Sequence, residues 1–316
     1  MTVPVGRLAP SPTGLLHLGH ARTFLLAYWH IRSRGGTLLL RMEDLDGPRA
    51  QVQFADAALR DLEWLGLDWD GPVWLQSHGL PRLNSAVSAL IEAGKAYPCV
   101  CSRGDIRSAQ SAPHADSAEP RYPGTCRGRF NSFADAERET GRPAGARLMI
   151  PAGGIQIEDG VSGPSTWDVA SDVGDFLIAK RDKAPAYQLA VAVDDAAQGV
   201  TEVLRGADLL PSAARQWHVQ TALGLPHPKW SHVPLVTDAD GRRLAKREAD
   251  LSLAELQQGG CDPRAIVAWA ARSAGVSAPD RVRASEVTPL FDLARVPKSE
   301  LRLTALTLET LKRARY

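Results

Sequence analysis

The stretch that most constrains this chain runs VGRLAPSPTGLLHLGHARTFLLAYWHI from Val5 to Ile31. A short apolar run enters a Pro/Gly turn. Two histidines three residues apart, His17 and His20, follow the turn, and a helix is predicted over 20–33, ending near Gly35-Gly36. The alternation then repeats. TLLLRMED suits a buried parallel strand. Val52, Ala55, Leu59 and Leu62, spaced three and four apart, predict an amphipathic helix, and RLNSAVSALIEAGKAY predicts another with a glycine near its end. Strands alternating with helices in this way predict an α/β fold with a doubly wound, Rossmann-like parallel sheet. At 316 residues the chain exceeds what one core usually carries, so two or three modules around one main core are expected.

The pattern breaks at Cys99. Residues 99–130 are rich in Cys, Pro, Gly, Ala and Ser, and SAQSAPHADSAEP (108–120) is of low complexity and reads as a loop. ARLMIP and FLIAKRDKAPAYQLAVAVDD read as a β-like section. Helical patterns resume at SAARQWHVQTALG. After the DADGRRLAKREAD loop the chain reads as all-helical, with Asp262-Pro263 a good helix start. Three of the four cysteines fall within 99–126. In a reducing compartment such a cluster means a metal site or three buried reduced thiols; disulfides are not expected. Cys261 stands alone and is most simply a packing residue.

A net charge of +1 does not announce a nucleic-acid partner, so any RNA contact must come from local basic patches. Arg121, Arg127 and Arg129 are one such patch, or else a solvated basic face. The first residues carry no apolar signal region. The run FLLAYWHI, interrupted by His30, is too short to span a bilayer. A cytoplasmic protein without membrane contact is expected.

The histidine pair sits where a helix N-terminus offers free N–H groups and partial positive charge, a ready phosphate site. Gly14 and Gly19 permit close backbone approach. His17 and His20 could donate hydrogen bonds to phosphoryl oxygens as charge builds there, each such donor being worth roughly 3–4 kcal/mol of barrier. They could equally be capping or core histidines.

GRLAPSPTGLLHLGHARTF resembles the first signature of the class I aminoacyl-tRNA synthetases in its glutamate-specific form. The resemblance continues through LRMEDLDGPR, PAYQLAVAVDD and LRGADLL and spans roughly residues 5–250. It implies ATP with Mg²⁺ as substrate, activation of L-glutamate, and an ATP site at His17, His20 and Lys246. The second class I signature, usually Lys-Met-Ser-Lys-Ser, reads Arg-Leu-Ala-Lys-Arg at 243–247. Only Lys246 matches strictly, and its implied role is to bring positive charge to the ATP phosphates. Ala245 lacks the usual hydroxyl, and Arg243 keeps charge but not shape. The resemblance places Arg7, Ser11, Glu43, Tyr187 and Arg205 in the glutamate pocket. Arginine forks there would bind carboxylates, Glu43 would meet the ammonium, and Tyr187 would add a hydroxyl and a ring wall. Asp44 and Asp46 receive no site role. It also implies a structural Zn²⁺ held by Cys99, Cys101, Tyr122 and Cys126. Read from the residues alone, His114 between Cys101 and Tyr122 is a rival fourth ligand, but its Ala-Pro-rich setting reads better as a loop.

The implied layout is a catalytic domain split over 1–98 and 181–250, an inserted zinc-containing α+β domain at 99–180, and a helical stem-contact module at 251–316. No anticodon-binding domain is expected. This layout is similar to that of the glutamyl-queuosine tRNA(Asp) synthetase family, whose acceptor is queuosine at the first anticodon position of tRNA(Asp); a monomer is expected. Three rivals stand beside it: a shortened glutamyl-tRNA synthetase charging the 3′ end, a small-molecule adenylyltransferase, and a non-catalytic zinc RNA-binding relic. No residue identifies a base for the transfer step.

Overall fold

The computed structural model describes residues 3–109, 121–238, 240–241 and 252–315. In chain order β1 (Val5–Leu8), α1 (Leu18–Arg32), β2 (Thr37–Met42), α2 (Val52–Trp64), β3 (Trp74–Leu75) and α3 (Leu80–Glu92) form the first half of the parallel region. There follow β4 (Ala96–Cys99), α4 (Arg103–Ser108), α5 (Phe133–Thr140), β5 (Gly145–Leu148), β6 (Ile155–Asp159), β7 (Gly163–Trp167), α6 (Val169–Asp172) and β8 (Leu177–Ala179). The chain returns through α7 (Tyr187–Ala197), β9 (Glu202–Gly206), α8 (Leu210–Leu223), β10 (Lys229–Val233) and β11 (Val236–Thr237). It closes with α9 (Leu253–Gln258), α10 (Pro263–Ser273), α11 (Ala284–Val287), β12 (Leu301–Arg302) and α12 (Ala305–Arg313).

Two sheet blocks carry the architecture, the first wholly parallel and the second parallel except for β7, which runs antiparallel to β6. β1, β2 and β3 pair in that order, and β10 lies parallel to both β9 and β6 in the order β7-β6-β10-β9. The blocks meet where Thr201 N–H donates to the Val5 carbonyl at 2.9 Å, which sets the start of β9 beside the start of β1. Helix crossovers leave β1 on one side and arrive at β9 on the other, so the line between them is the switch point at which open α/β sheets bind ligands. β4, β5 and β8 form a separate antiparallel sheet.

Helix α1 is the axis of the larger core. Leu18, Leu25, Leu26 and Trp29 are fully buried. They share one cluster with Ile266, Trp269, Val287 and Phe291 from the C-terminal helices. Two polar anchors fix that contact. The Trp29 indole donates to the Ala284 carbonyl at 2.9 Å, and buried Arg22 donates to the Pro234 carbonyl at 2.7 Å and to Ser273 Oγ at 2.8 Å. With no carboxylate among the described residues to offset its burial, Arg22 is brought down to about 10.

Three expectations need correction. Helix α1 starts at Leu18 rather than at His20, because His17 is its N-cap. The β-like reading of AYQLAVAVDD fails: those residues form α7. Leu189 through Asp195 are all buried, and a helix sunk on every side loses the polar face that marks helical periodicity. The region after residue 251 is not wholly helical either, since β12 pairs in parallel with β11. The predicted start at Asp262-Pro263 is observed, with Asp262 as N-cap and its side chain accepting from Arg264 N–H. Cys261 is buried, with its thiol 3.1 Å from the Leu311 carbonyl.

Candidate active site

A cavity of about 330 Å³ opens at the switch point. Its lining includes Arg7, Ser11, His17, His20, Glu43, Tyr187 and Arg205. The structure therefore brings together every described member of the predicted nucleotide and glutamate sets, from β1, the turn before α1, the end of β2, the start of α7 and β9. Lys246 lies outside the described residues, as do Arg243, Ala245 and His114. Of the residues that bracket Lys246, Val236 lines the same cavity, and Ser252 forms a β-bridge with His17.

The two histidines are both caps, and the cap sets their chemistry. His17 Nδ1 accepts from Gly19 N–H at 3.1 Å, and His20 Nδ1 accepts from His17 N–H at 3.2 Å. The rings lie 3.8 Å apart. An Nδ1 lone pair used in this way puts the proton of a neutral imidazole on Nε2, so each ring presents a donor there. A side chain at Gly19 would place its Cβ 3.0 Å from the His17 ring, so any larger residue there would press on the capping imidazole. The two readings left open by the sequence, capping and phosphate donation, are compatible.

Beneath the cavity floor runs a buried ionic chain. Arg7 Nε meets Asp195 Oδ1 at 3.2 Å. Arg41, fully buried on β2, donates to the same oxygen at 2.7 Å and to Glu43 Oε1 at 3.1 Å, and to Gln198 Oε1 at 2.8 Å. Burial alone raises a carboxyl, but Arg41 and Arg7 outweigh it and hold Asp195 below the usual carboxylate range. Arg41 and Glu43 share a face because side chains alternate along an extended segment. Neither Arg41 nor Asp195 was singled out from the sequence, although LRMED and AVAVDD contain them. The two terminal nitrogens of Arg7 have no protein acceptor among the described residues.

Arg205 differs. Its Nε donates to His232 Nε2 at 3.0 Å, and its terminal nitrogens donate to Gln216 Oε1 at 2.9 Å and the Leu209 carbonyl at 3.3 Å. All three acceptors are neutral, the guanidinium is buried, and burial lowers its pKa. Tyr187 is 39% exposed, while its phenol is raised by burial and by the charge of Glu43. Asp44 accepts from Ser77 N–H and Oγ, and Asp46 pairs with Arg49 at 2.5 Å. Both serve local structure.

The thiol module lies apart, at the edge of the antiparallel sheet. Cys99, Cys101 and Cys126 hold their sulfurs within 4.8 Å of one another. Tyr122 Oη is 3.4 Å from Cys99 Sγ and 3.9 Å from Cys101 Sγ, and Cys101 and Cys126 are 3.5 Å apart. Tetrahedral zinc with Zn–S near 2.3 Å places its ligands about 3.8 Å apart, so three sulfurs and the phenol oxygen fit such an ion. Arg147 Nε reaches Cys99 Sγ at 3.2 Å, and its guanidinium stacks 3.7 Å over the Tyr122 ring. Gly174 has φ +74°, and a Cβ there would lie 2.4 Å from the Tyr122 carbonyl, so glycine is required where the two backbones cross. Arg127 is ion-paired with Asp175 and Arg129 with Glu139, while Arg121 donates to the Ala170 carbonyl.

This fold and cleft are those of a known class. Residues 4–308 match the family described as tRNA synthetases class I (E and Q), catalytic domain, and the chain belongs to it; it is a ligase. It is 42% identical to the glutamyl-Q tRNA(Asp) synthetase of Symbiobacterium thermophilum over 97% of this chain and 98% of that one. With the protein of the same name from Nocardia farcinica it shares 45% identity over 95% and 93% of the two chains. It is also 37% identical to the glutamate–tRNA ligase of Azorhizobium caulinodans, but there its 98% coverage takes in only 65% of the relative. In fold it superposes on the crystal structure of a glutamate tRNA ligase from Elizabethkingia meningosepticum with a TM-score of 0.83 at 24% identity, covering 98% of this chain and 68% of that one.

Proposed function

We propose that the chain activates L-glutamate with ATP as glutamyl-adenylate and transfers the glutamate to queuosine at the first anticodon position of tRNA(Asp). The observation that carries the first half is Arg205. Its buried guanidinium feels Asp195 and Glu43 only at a distance, has no carboxylate among its hydrogen-bond acceptors in the described residues, and an acidic ligand supplies one in direct contact. The two terminal nitrogens of Arg7 offer a second fork for the ligand's other carboxylate. A neutral amide side chain would leave one fork unmatched, which favours glutamate over glutamine. Glu43 and the Tyr187 hydroxyl take the ammonium end, with Ser11 at the rim.

The α-carboxylate attacks the α-phosphorus in line and pyrophosphate leaves. His17 and His20 donate from Nε2 to phosphoryl oxygens, and Lys246 adds positive charge. Mg²⁺ enters with ATP as part of the substrate and spreads the phosphate charge. The protein contributes position and electrostatics, without a covalent enzyme nucleophile. Cys99, Cys101, Cys126 and Tyr122 hold one structural Zn²⁺ that stitches the module at 99–130. The proposed division of the chain into 1–98 with 181–250, 99–180 and 251–316 assigns that module to an insertion.

The queuosine acceptor is supported by the relatives that this chain matches along nearly their whole length. Radioactive glutamate and ATP, offered with tRNA that contains or lacks queuosine, test the proposal. Label confined to the anticodon loop of queuosine-containing tRNA is expected. Label at the 3′ end would make it a shortened glutamyl-tRNA synthetase, and adenylate without RNA label would make it an adenylyltransferase. Absence of glutamate-dependent pyrophosphate exchange would leave a non-catalytic relic.

A further inference from the structure

Arg205 is held by a relay that crosses three neighbouring strands. Arg205 on β9 and His232 on β10 stand directly opposite in register, and Trp230 on β10 pairs with Asp159 at the end of β6. Arg205 Nε donates to His232 Nε2 at 3.0 Å, and His232 Nδ1 lies 2.6 Å from Asp159 Oδ2. His232 and Asp159 have no side-chain exposure. The bond from Arg205 requires a lone pair on Nε2, so the imidazole is neutral and carries its proton on Nδ1, donated to Asp159. Burial and the charge of Arg205 both favour that neutral ring.

We propose that Asp159 and His232 are positioning residues for the acidic substrate: they fix the tautomer that leaves an acceptor against Arg205 and so aim its guanidinium into the cavity. This rests on the reading of Arg205 as a carboxylate fork. Asp159 is built to enforce that tautomer. Its Oδ1 alone accepts from two backbone amides, Val161 at 3.0 Å and Ser162 at 2.9 Å, while the His232 amide is shared between Oδ1 and Oδ2 at 3.1 Å each. Those amides dictate which way an asparagine would face. In Asp159→Asn the carbonyl oxygen stays on the amides and the NH₂ turns to His232 Nδ1. The ring proton must then move to Nε2, where it meets the Nε–H of Arg205 donor to donor. The catalytic triad follows the same logic, an isosteric amide imposing the wrong tautomer on a histidine.

The test is glutamate-dependent pyrophosphate exchange with total tRNA present, run on Asp159→Asn, His232→Leu and His232→Gln beside the wild type, together with nitrogen NMR of histidine-labelled protein. Asp159→Asn and His232→Leu are expected to raise the glutamate KM at least tenfold while kcat falls less than threefold. His232→Gln, whose oxygen accepts from Arg205 while its NH₂ donates to Asp159, is expected to restore most of that loss. The wild-type spectrum is expected to show His232 Nε2 unprotonated, and Asp159→Asn to show the proton moved there. Unchanged KM in both Asp159→Asn and His232→Leu overturns the proposal. So does a parallel fall of kcat in all three variants, or a His232→Gln protein as impaired as His232→Leu. A wild type with no glutamate-dependent exchange overturns the activation reading instead, and the spectra then decide separately whether Asp159 sets the tautomer.

Discussion

In the cleft, the floor charges already have fixed protein partners: Asp195 lies between Arg7 and Arg41, Glu43 leans on Arg41, and Arg205 rests on His232 and Gln216. In the thiol module the three sulfurs and the Tyr122 phenol face chiefly one another. The first region is ordered before any ligand arrives, and the ligand completes a charge balance. The second brings like groups together with one guanidinium, Arg147, against Cys99 and Tyr122, and a metal cation would satisfy the sulfurs that this arginine does not reach. Preorganisation therefore resides in the floor of the cleft, whereas the module depends on what it binds.

Four measurements sharpen or break that contrast. Arg41→Met strips the floor of its central cation and leaves Asp195 and Glu43 buried. A loss of about 3–5 kcal/mol is expected in urea unfolding, and a loss under 1 kcal/mol would mean the floor is not ionically held. Arg205→Leu is expected to weaken glutamate by about 3 kcal/mol, roughly a hundredfold in KM, with the fold intact by circular dichroism. An unchanged KM would place the acidic ligand elsewhere.

The third measurement concerns pH. Burial alone would raise Asp159, but the hydrogen bonds from His232 and the backbone amides bring it down to about 2. A depressed carboxyl stabilises the fold above its unfolded value near 3.8, and this contribution disappears as pH falls from there towards 2. About 2 kcal/mol of stability is therefore expected to vanish over that window in the wild type and to be missing from Asp159→Asn. Superimposable pH curves would count against the assignment. The smallest effect is expected in the module: Cys126→Ser should abolish the proposed binding of one zinc per chain and lower Tm by a few degrees. Zinc retained at full stoichiometry would show that Cys126 is not a ligand.

Much of this was legible in the sequence. Val5–Leu8, α1, β2, α2 and α3 follow from apolar spacing and turn residues, and the cleft's lining residues stand inside short strings that could be quoted whole. Helix α7 was misread because its apolar residues fill every face. Arg41 and Asp195 escaped notice because a buried ion pair looks like surface charge until the fold closes over it. The relay behind Arg205 had no linear trace at all. Asp159 and His232 lie 73 residues apart, and only the pairing of β6, β10 and β9 makes them neighbours.

The reciprocal cap at the start of α1 has a consequence for mutagenesis. The His17 and His20 rings lie 3.8 Å apart, so each imidazole packs against the other as well as accepting from its own backbone donor. Replacing one ring should loosen its neighbour, so the double variant should cost much less than the two single variants added together. The pair is better counted as one two-pronged unit than as two independent groups.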